Sequence, residues 1–353
     1  MPIRVCRESI AGLAAAVLCI GFTVAFASSP SFLRAMPQSD TASQFSNNPD
    51  SAQIVTRDID NFWRAYDRAG PNNAVDIFQD EYINKGSIGL RDFVQLRIQS
   101  AGELANWVAR HPLYYASIRP STGKISSFTP QIRQSFRRLK DLYPQAVFPN
   151  VYFVIGRMTS GGTTSYNGLL IGAEMYGRTP DMPTSELTEW HKQVLKPVDE
   201  LPGIVAHELI HFEQKGPDPQ TLLGQAFREG SADFLGELIS GLSINAALQT
   251  YGNEHERELW AEFQAAMNGH DSSKWLYNGT GAKGRPADLG YYMGYKIAQA
   301  YYQLARDKKQ AIRDILENER FDQFLKRSGY AEKFAARLLP HVSSVCFPLA
   351  CYS

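Results

Sequence analysis

The sequence predicts a helix-dominated α+β protein, and three observations predict it. Apolar residues recur at helical spacing through most of the chain beyond residue 55. Two short β-rich runs, Val151-Tyr152-Phe153-Val154-Ile155 and Gly168-Leu169-Leu170-Ile171-Gly172, interrupt that pattern. Between them lies Thr159-Ser160-Gly161-Gly162-Thr163-Thr164-Ser165, a turn-rich stretch, so the pair reads as a β-hairpin with a long loop.

The 353 residues suffice for a sizeable core, and 44% hydrophobic against 20% charged is an ordinary soluble balance. Acidic and basic side chains number 36 each. A nucleic acid or an anionic membrane would favour a basic excess, so neither is expected as a partner.

Taken in order, residues 1–27 have the three parts of a secretory signal. Arg4 and Arg7 come first, an uncharged run follows from Ile10 to Ala27, and Ala25-Phe26-Ala27 closes it as a small-x-small cleavage site. Cleavage leaves a mature chain in the periplasm or outside the cell with no stable membrane insertion. An uncleaved anchor is the alternative, because the run is of borderline length to span a bilayer. Leu18 stands before Cys19 where lipid attachment calls for a small residue. Residues 28–52 are rich in Ser, Asn, Pro, Asp and Gln and read as a flexible linker.

Residues 53–148 form a helical N-terminal region. Thr56-Arg57-Asp58 caps Ile59, Phe62, Trp63 and Tyr66, and further helices are expected around Leu90–Ile98, Ala101–Ala109 and Pro130–Tyr143. Residues 149–345 hold the hairpin, then helices at 185–195, 200–215, 222–241, 254–267, 289–306 and 308–326. In the tail, 346–353, Cys346 and Cys351 either close a disulfide in an oxidising compartment or remain free thiols.

The sharpest chemical signal is His207-Glu208-Leu209-Ile210-His211. Residues four apart share a helix face, so the two imidazoles can hold one zinc ion. Glu208 sits beside the metal without having to ligate it, which suits a base acting on metal-bound water. The flanking Ile204, Val205, Leu209, Ile210 and Phe212 bury the helix. A third ligand is expected, and Glu229 lies 18 residues past His211, after a turn through Lys215-Gly216-Pro217-Asp218-Pro219. Asp233, one helical turn further, can orient a histidine ligand through its outer nitrogen.

This constellation resembles the gluzincin metallopeptidases, which take two His from one helix and a Glu from the next. More closely, the chain is similar to the DUF2268 group of predicted Zn-dependent proteases. The likeness rests on Phe78-Gln79-Asp80-Glu81-Tyr82, Gly86-Ser87, Gly89-Leu90, Ser160-Gly161-Gly162-Thr163, the zinc helix and Gly290-Tyr291-Tyr292-Met293-Gly294-Tyr295. It implies a zincin-like fold with the hairpin, or a small sheet, beside the active-site helix. An edge strand there can pair with an extended peptide, and an ordinary structural hairpin is the equal alternative.

Among Tyr291, Tyr292 and Tyr295, a hydroxyl can stabilise a developing oxyanion, with Tyr292 and Tyr295 the named candidates. The Gly290-to-Gly294 spacing equally suggests helix packing with the tyrosines as core. His111, His191, His255 and His270 lack ligand-like companions, and Ser160 and Ser165 lack a nucleophile elbow. The expectation is an exported zinc metallopeptidase acting on a peptide or protein substrate. The alternative is a non-catalytic zinc-containing envelope protein that binds a protein or peptide partner.

Overall fold

The two β-rich runs are apolar at every position rather than at alternate ones, the pattern of strands covered on both faces. In the computed structural model, which describes residues 45–279 and 284–335, both are central and buried throughout. Four strands build one sheet: β1 (Ile54–Val55), β2 (Val151–Val154), β3 (Gly162–Ser165) and β4 (Gly168–Gly172), in the order β1-β2-β4-β3. β1 runs parallel to β2, and β2 parallel to β4, with Val151 opposite Leu169 and Val154 opposite Gly172. Only β3 is antiparallel, pairing Thr163 with Leu170.

The expected hairpin is therefore displaced. Residues 151–155 and 168–172 do not form it. The turn at Tyr166-Asn167 joins β3 to β4 instead, with Gly168 at φ +141° next to the Asn150 carbonyl. The polar run taken for a loop contains β3 itself. Its β-branched Thr163 and Thr164 suit a half-buried edge strand, but their polarity hides it in the sequence. β1 joins residues on the two sides of the 148/149 boundary into one sheet, so 53–148 and 149–335 share a core.

Helices cover the sheet. The first part contributes α1 (Arg57–Arg68), α2 (Ile88–Phe93), α3 (Ala101–Arg110), α4 (Pro112–Thr122) and α5 (Thr129–Leu142). Ser87 caps α2 through Leu90 N, and both its N–H and its hydroxyl donate to buried Asp58 at the start of α1. α2 runs on as a π-helical turn, Val94–Ile98, which ends at Gln99 with φ 76°. Phe78–Ile83 is also π-helical. α4 was not foreseen: Pro120 lies inside it, and its Tyr114 and Tyr115 hydroxyls are spent on the Glu174 and Gly156 carbonyls.

The second part contributes α6 (Glu189–Val194), α7 (Leu201–Glu213), α8 (Leu222–Ser240), α9 (Ala246–Glu254), α10 (Glu256–Ala266), α11 (Leu289–Leu304), α12 (Lys308–Leu316) and α13 (Phe321–Ser328). The helix expected over 308–326 is two, broken at Glu317–Arg320. α9 is the other addition; its Gly252 admits the Tyr292 ring. The central crossing is α8 on α11. A Cβ at Gly230 would meet Tyr295 N at 2.1 Å, and one at Gly294 would meet the Ala226 carbonyl oxygen at 1.8 Å. Among the described residues no helix is long and apolar enough to cross a membrane. The signal, most of the linker and the cysteine tail lie outside the described residues.

Candidate metal centre

α7 sets apolar residues on every side of its two histidines and is largely buried, with Pro202 in its first turn where no intrahelical N–H is needed. Gly236 of α8 lets that helix approach the α7 backbone at His207, where a Cβ would lie 3.2 Å from His207 N. This close crossing brings residues 18 positions apart in sequence onto one point. One ligand atom each from His207, His211 and Glu229 lies within 4.8 Å of the others. Glu229 Oε2 is 3.2 Å from His211 Nε2 and 3.8 Å from His207 Nε2.

Each member is oriented from behind. His211 Nδ1 lies 2.8 Å from Gln214 Oε1, and the Gln214 amide is fixed by donating to the Arg228 carbonyl and Ser231 Oγ. His207 Nδ1 lies 2.8 Å from Asp233 Oδ1, close but off the axis of a good hydrogen bond; among the described residues neither buried atom has a better partner. Asp233 Oδ2 is held by Asn245 Nδ2 at 2.7 Å. Glu229 Oε1 accepts from the Tyr277 hydroxyl at 2.7 Å, leaving Oε2 to face the imidazoles.

The electrostatics favour a cation. Burial opposes the charged form of Glu229, but His211, His207 and the Tyr277 hydroxyl outweigh it and hold the carboxyl well below the usual carboxylate range. Burial alone would lower His211; Glu229 and Glu208 overcome it and push the imidazole up to about 9. The triad thus retains a proton at the place where its negative charge gathers. Two imidazole nitrogens and one carboxylate oxygen, with outer-shell partners, are a donor set that fits zinc.

Glu208 lines a cleft of about 720 Å³ that His207, Asp233 and Tyr176 also line. Burial raises its carboxyl above the ordinary value, partly offset by the two histidines. β3 passes directly over it: a Cβ at Gly162 would strike Glu208 Oε1 at 2.3 Å. Of the three tyrosines on α11, Tyr291 reaches the site, its ring stacked 6.4 Å from His207. The Tyr292 hydroxyl is on Asn253 and the Tyr295 hydroxyl on Glu237, so neither is placed to serve an oxyanion at the triad. The helix turn that puts Gly294 against Ala226 rotates both rings into the core.

Three contributors have no counterpart in the sequence reading. Gln214 had a legible signal, being one helical turn past His211. Tyr277 had none: it stands in irregular backbone at φ 57°, 48 residues from the carboxylate it touches. Arg97 is brought in by the π-helical turn after α2. Its guanidinium donates to Thr163 Oγ1 on β3, and its buried Nε has no partner among the described residues.

A family model described as gliding motility protein GldB matches residues 45–332, and the chain belongs to that family. No curated protein and no solved structure matches. The match corrects the resemblance to the DUF2268 proteases and, with it, the metallopeptidase and protease assignment. The physical reason lies in what the resembling residues do. Phe78 is core, Tyr82 bonds Ile155 on the sheet, Ser87 caps α2, and Gly290 and Gly294 admit neighbouring segments. Those are requirements of a scaffold, and a His-Glu-x-x-His helix is a requirement of a metal site. Neither specifies cleavage.

Proposed function

We propose that the chain is an exported, non-catalytic envelope protein of gliding motility that holds a zinc ion at His207, His211 and Glu229 and binds a protein or peptide partner. The motility role rests on the family. The observation that carries the zinc is the triad itself: three donors from two helices, already within 4.8 Å and each braced by a second group. When bound, zinc supplies a fixed positive charge and a cross-link between α7 and α8.

In this reading a zincin-like layout, a strand beside a metal-bearing helix, serves recognition. β3 is an edge strand with one side paired to β4, and its other side offers backbone groups to an extended segment. Buried ordering of the triad keeps α7 from shifting beneath that edge. The uncharged run and small-x-small site at the N-terminus support export.

The test uses a deletion strain of the native host complemented with variants. Glu229→Ala is expected to lose both zinc, by elemental analysis of the purified protein, and surface gliding. Glu208→Gln is expected to keep both. A Glu208→Gln protein that is folded and zinc-loaded yet cannot restore gliding would falsify the non-catalytic reading.

A further inference from the structure

Four cations line the cleft beside the triad: Arg178, Lys192, Lys196 and Arg285, the last of them paired with Glu262. Backbone pairing sets two of them side by side, since Arg178 N donates to the Lys196 carbonyl. The whole chain is neutral, so this is a matter of placement rather than composition.

Four acidic residues line the same cleft, and three of them are partnered within the protein: Glu200 with Lys196, Asp233 with His207 and Asn245, and Asp288 with the Asn278 N–H. The fourth, Glu208, lies beneath β3 at Gly162. The cations are not matched in the same way. Lys196 is held by Glu200 and the Ile244 carbonyl. Lys192 has only Glu189, three residues away on its own helix and 79% exposed, a pairing of little strength. Arg178 is exposed and, among the described residues, its guanidinium makes no hydrogen bond or ion pair.

One side chain, Tyr176, touches both the cleft and the free edge of the sheet. Tyr176 lines the cleft, and its hydroxyl abuts the backbone just before β3, where a Cβ on Gly161 would come within 2.6 Å of it. Tyr176 thus stands between the edge at Gly161 and the cleft that Arg178 and Lys192 line.

From this, the geometry points to an acidic, extended segment of the partner protein as the occupant: its backbone pairs with β3 and its carboxylates lie against Arg178 and Lys192. This rests on the partner-binding reading above. It adds the chemical class of the partner and the two residues that select it.

Fluorescence anisotropy on the mature, zinc-loaded chain tests it with three labelled peptides, acetyl-(Val-Glu)3-amide, acetyl-(Val-Gln)3-amide and acetyl-(Val-Lys)3-amide. The Glu peptide is expected to bind at least about tenfold tighter than the Gln peptide, with the Lys peptide weakest, and the preference to shrink as salt is raised. The double variant Arg178→Glu with Lys192→Glu changes two surface side chains, and circular dichroism confirms its fold. It is expected to reverse the order. A Glu peptide methylated at alternate backbone nitrogens, which cannot complete strand pairing, is expected to lose most of its affinity. Equal binding of the three peptides, or an acidic preference surviving charge reversal, overturns the inference. The metal reading is separable: a Glu preference that depends on Arg178 in a chain without zinc leaves this inference standing and removes zinc. Zinc at full occupancy with no Glu preference does the opposite.

Discussion

The helix pair that carries the triad and the strand edge that faces it are finished to different degrees. On α7 and α8 every candidate ligand has a group close behind it, and those groups have partners of their own: Gln214 reaches Ser231, and Asp233 reaches Asn245, although His207 Nδ1 and Asp233 Oδ1 meet at 2.8 Å without completing a hydrogen bond. Beside β3, Arg97 likewise leaves a buried Nε without a partner among the described residues, and its one side-chain bond, to Thr163, is long at 3.3 Å. Unpartnered buried groups are costly and uncommon. The two regions differ in convergence: the helix pair brings three donors to one point, while β3 has a strand on one side only among the described residues.

The largest expected effect tests whether the finished side depends on backbone contact. Gly294→Ala puts a Cβ 1.8 Å from the Ala226 carbonyl, against backbone that cannot yield as a side chain would. Forcing α11 off α8 should cost about 3 kcal/mol or more, read as a fall in the urea midpoint. Gly269→Ala, with nothing nearer than the Ala266 carbonyl at 3.2 Å, should cost far less. Equal losses from the two would mean that the crossing is not set by the small residues.

A second effect belongs to the sheet. Glu174 is fully buried between the ends of β2 and β4 and accepts from Met158 N, and burial pushes its carboxyl up from 4.5 to about 7. Below about pH 4.5 folded and unfolded chains both hold the proton. As pH rises toward 7 the unfolded chain releases it and the folded chain does not, so stability falls. The loss amounts to about 3 kcal/mol and levels off above pH 7. Glu174→Gln keeps the acceptor and removes the charge, and should flatten that part of the stability-pH curve. A curve unchanged by the substitution would place the titration elsewhere.

Next in size is the outer support of His207. Asp233→Ala leaves all three ligands in place but frees the imidazole, and zinc affinity should weaken by about 10–100-fold in a chelator competition. A full loss of zinc would make Asp233 a ligand, and no change would make its 2.8 Å approach to His207 incidental.

The same contrast governs what the sequence disclosed. His207, His211, Glu229 and Asp233 all lie on two consecutive helices, and helical periodicity is enough to put them on one face. α7 and α8 end within two residues of their expected bounds for the same reason. The edge was hidden because β3 is polar, short and adjacent to its partner only after the chain turns at Tyr166. Arg97 depends on a π-helical turn, and no spacing rule separates that from an ordinary helix end. Among the α11 tyrosines the sequence puts forward Tyr292 and Tyr295, whereas the Gly294 contact fixes the helix rotation and leaves Tyr291 facing His207. The family, finally, was not legible from the metal motif, because a motif reports the ion's needs rather than the use made of the ion.

The smallest expected effect lies on the boundary between the two regions. Tyr277 comes from irregular backbone outside the helix pair, is 68% exposed, and yet donates to Glu229 Oε1 at 2.7 Å. The contact leaves Oε2 as the oxygen nearest both histidines. Tyr277→Phe keeps the ring and removes only that hydrogen bond. A charge-assisted bond of this kind, partly open to water, contributes about 1–2 kcal/mol, so zinc affinity should weaken by roughly tenfold, less than for Asp233→Ala. Its removal also frees Glu229 Oε1 and should let zinc bind with altered carboxylate geometry. X-ray absorption of the zinc-loaded variant reads that change independently of affinity. If both measurements match the parent protein, Tyr277 merely rests on the site, and the bracing of the triad ends at the two helices.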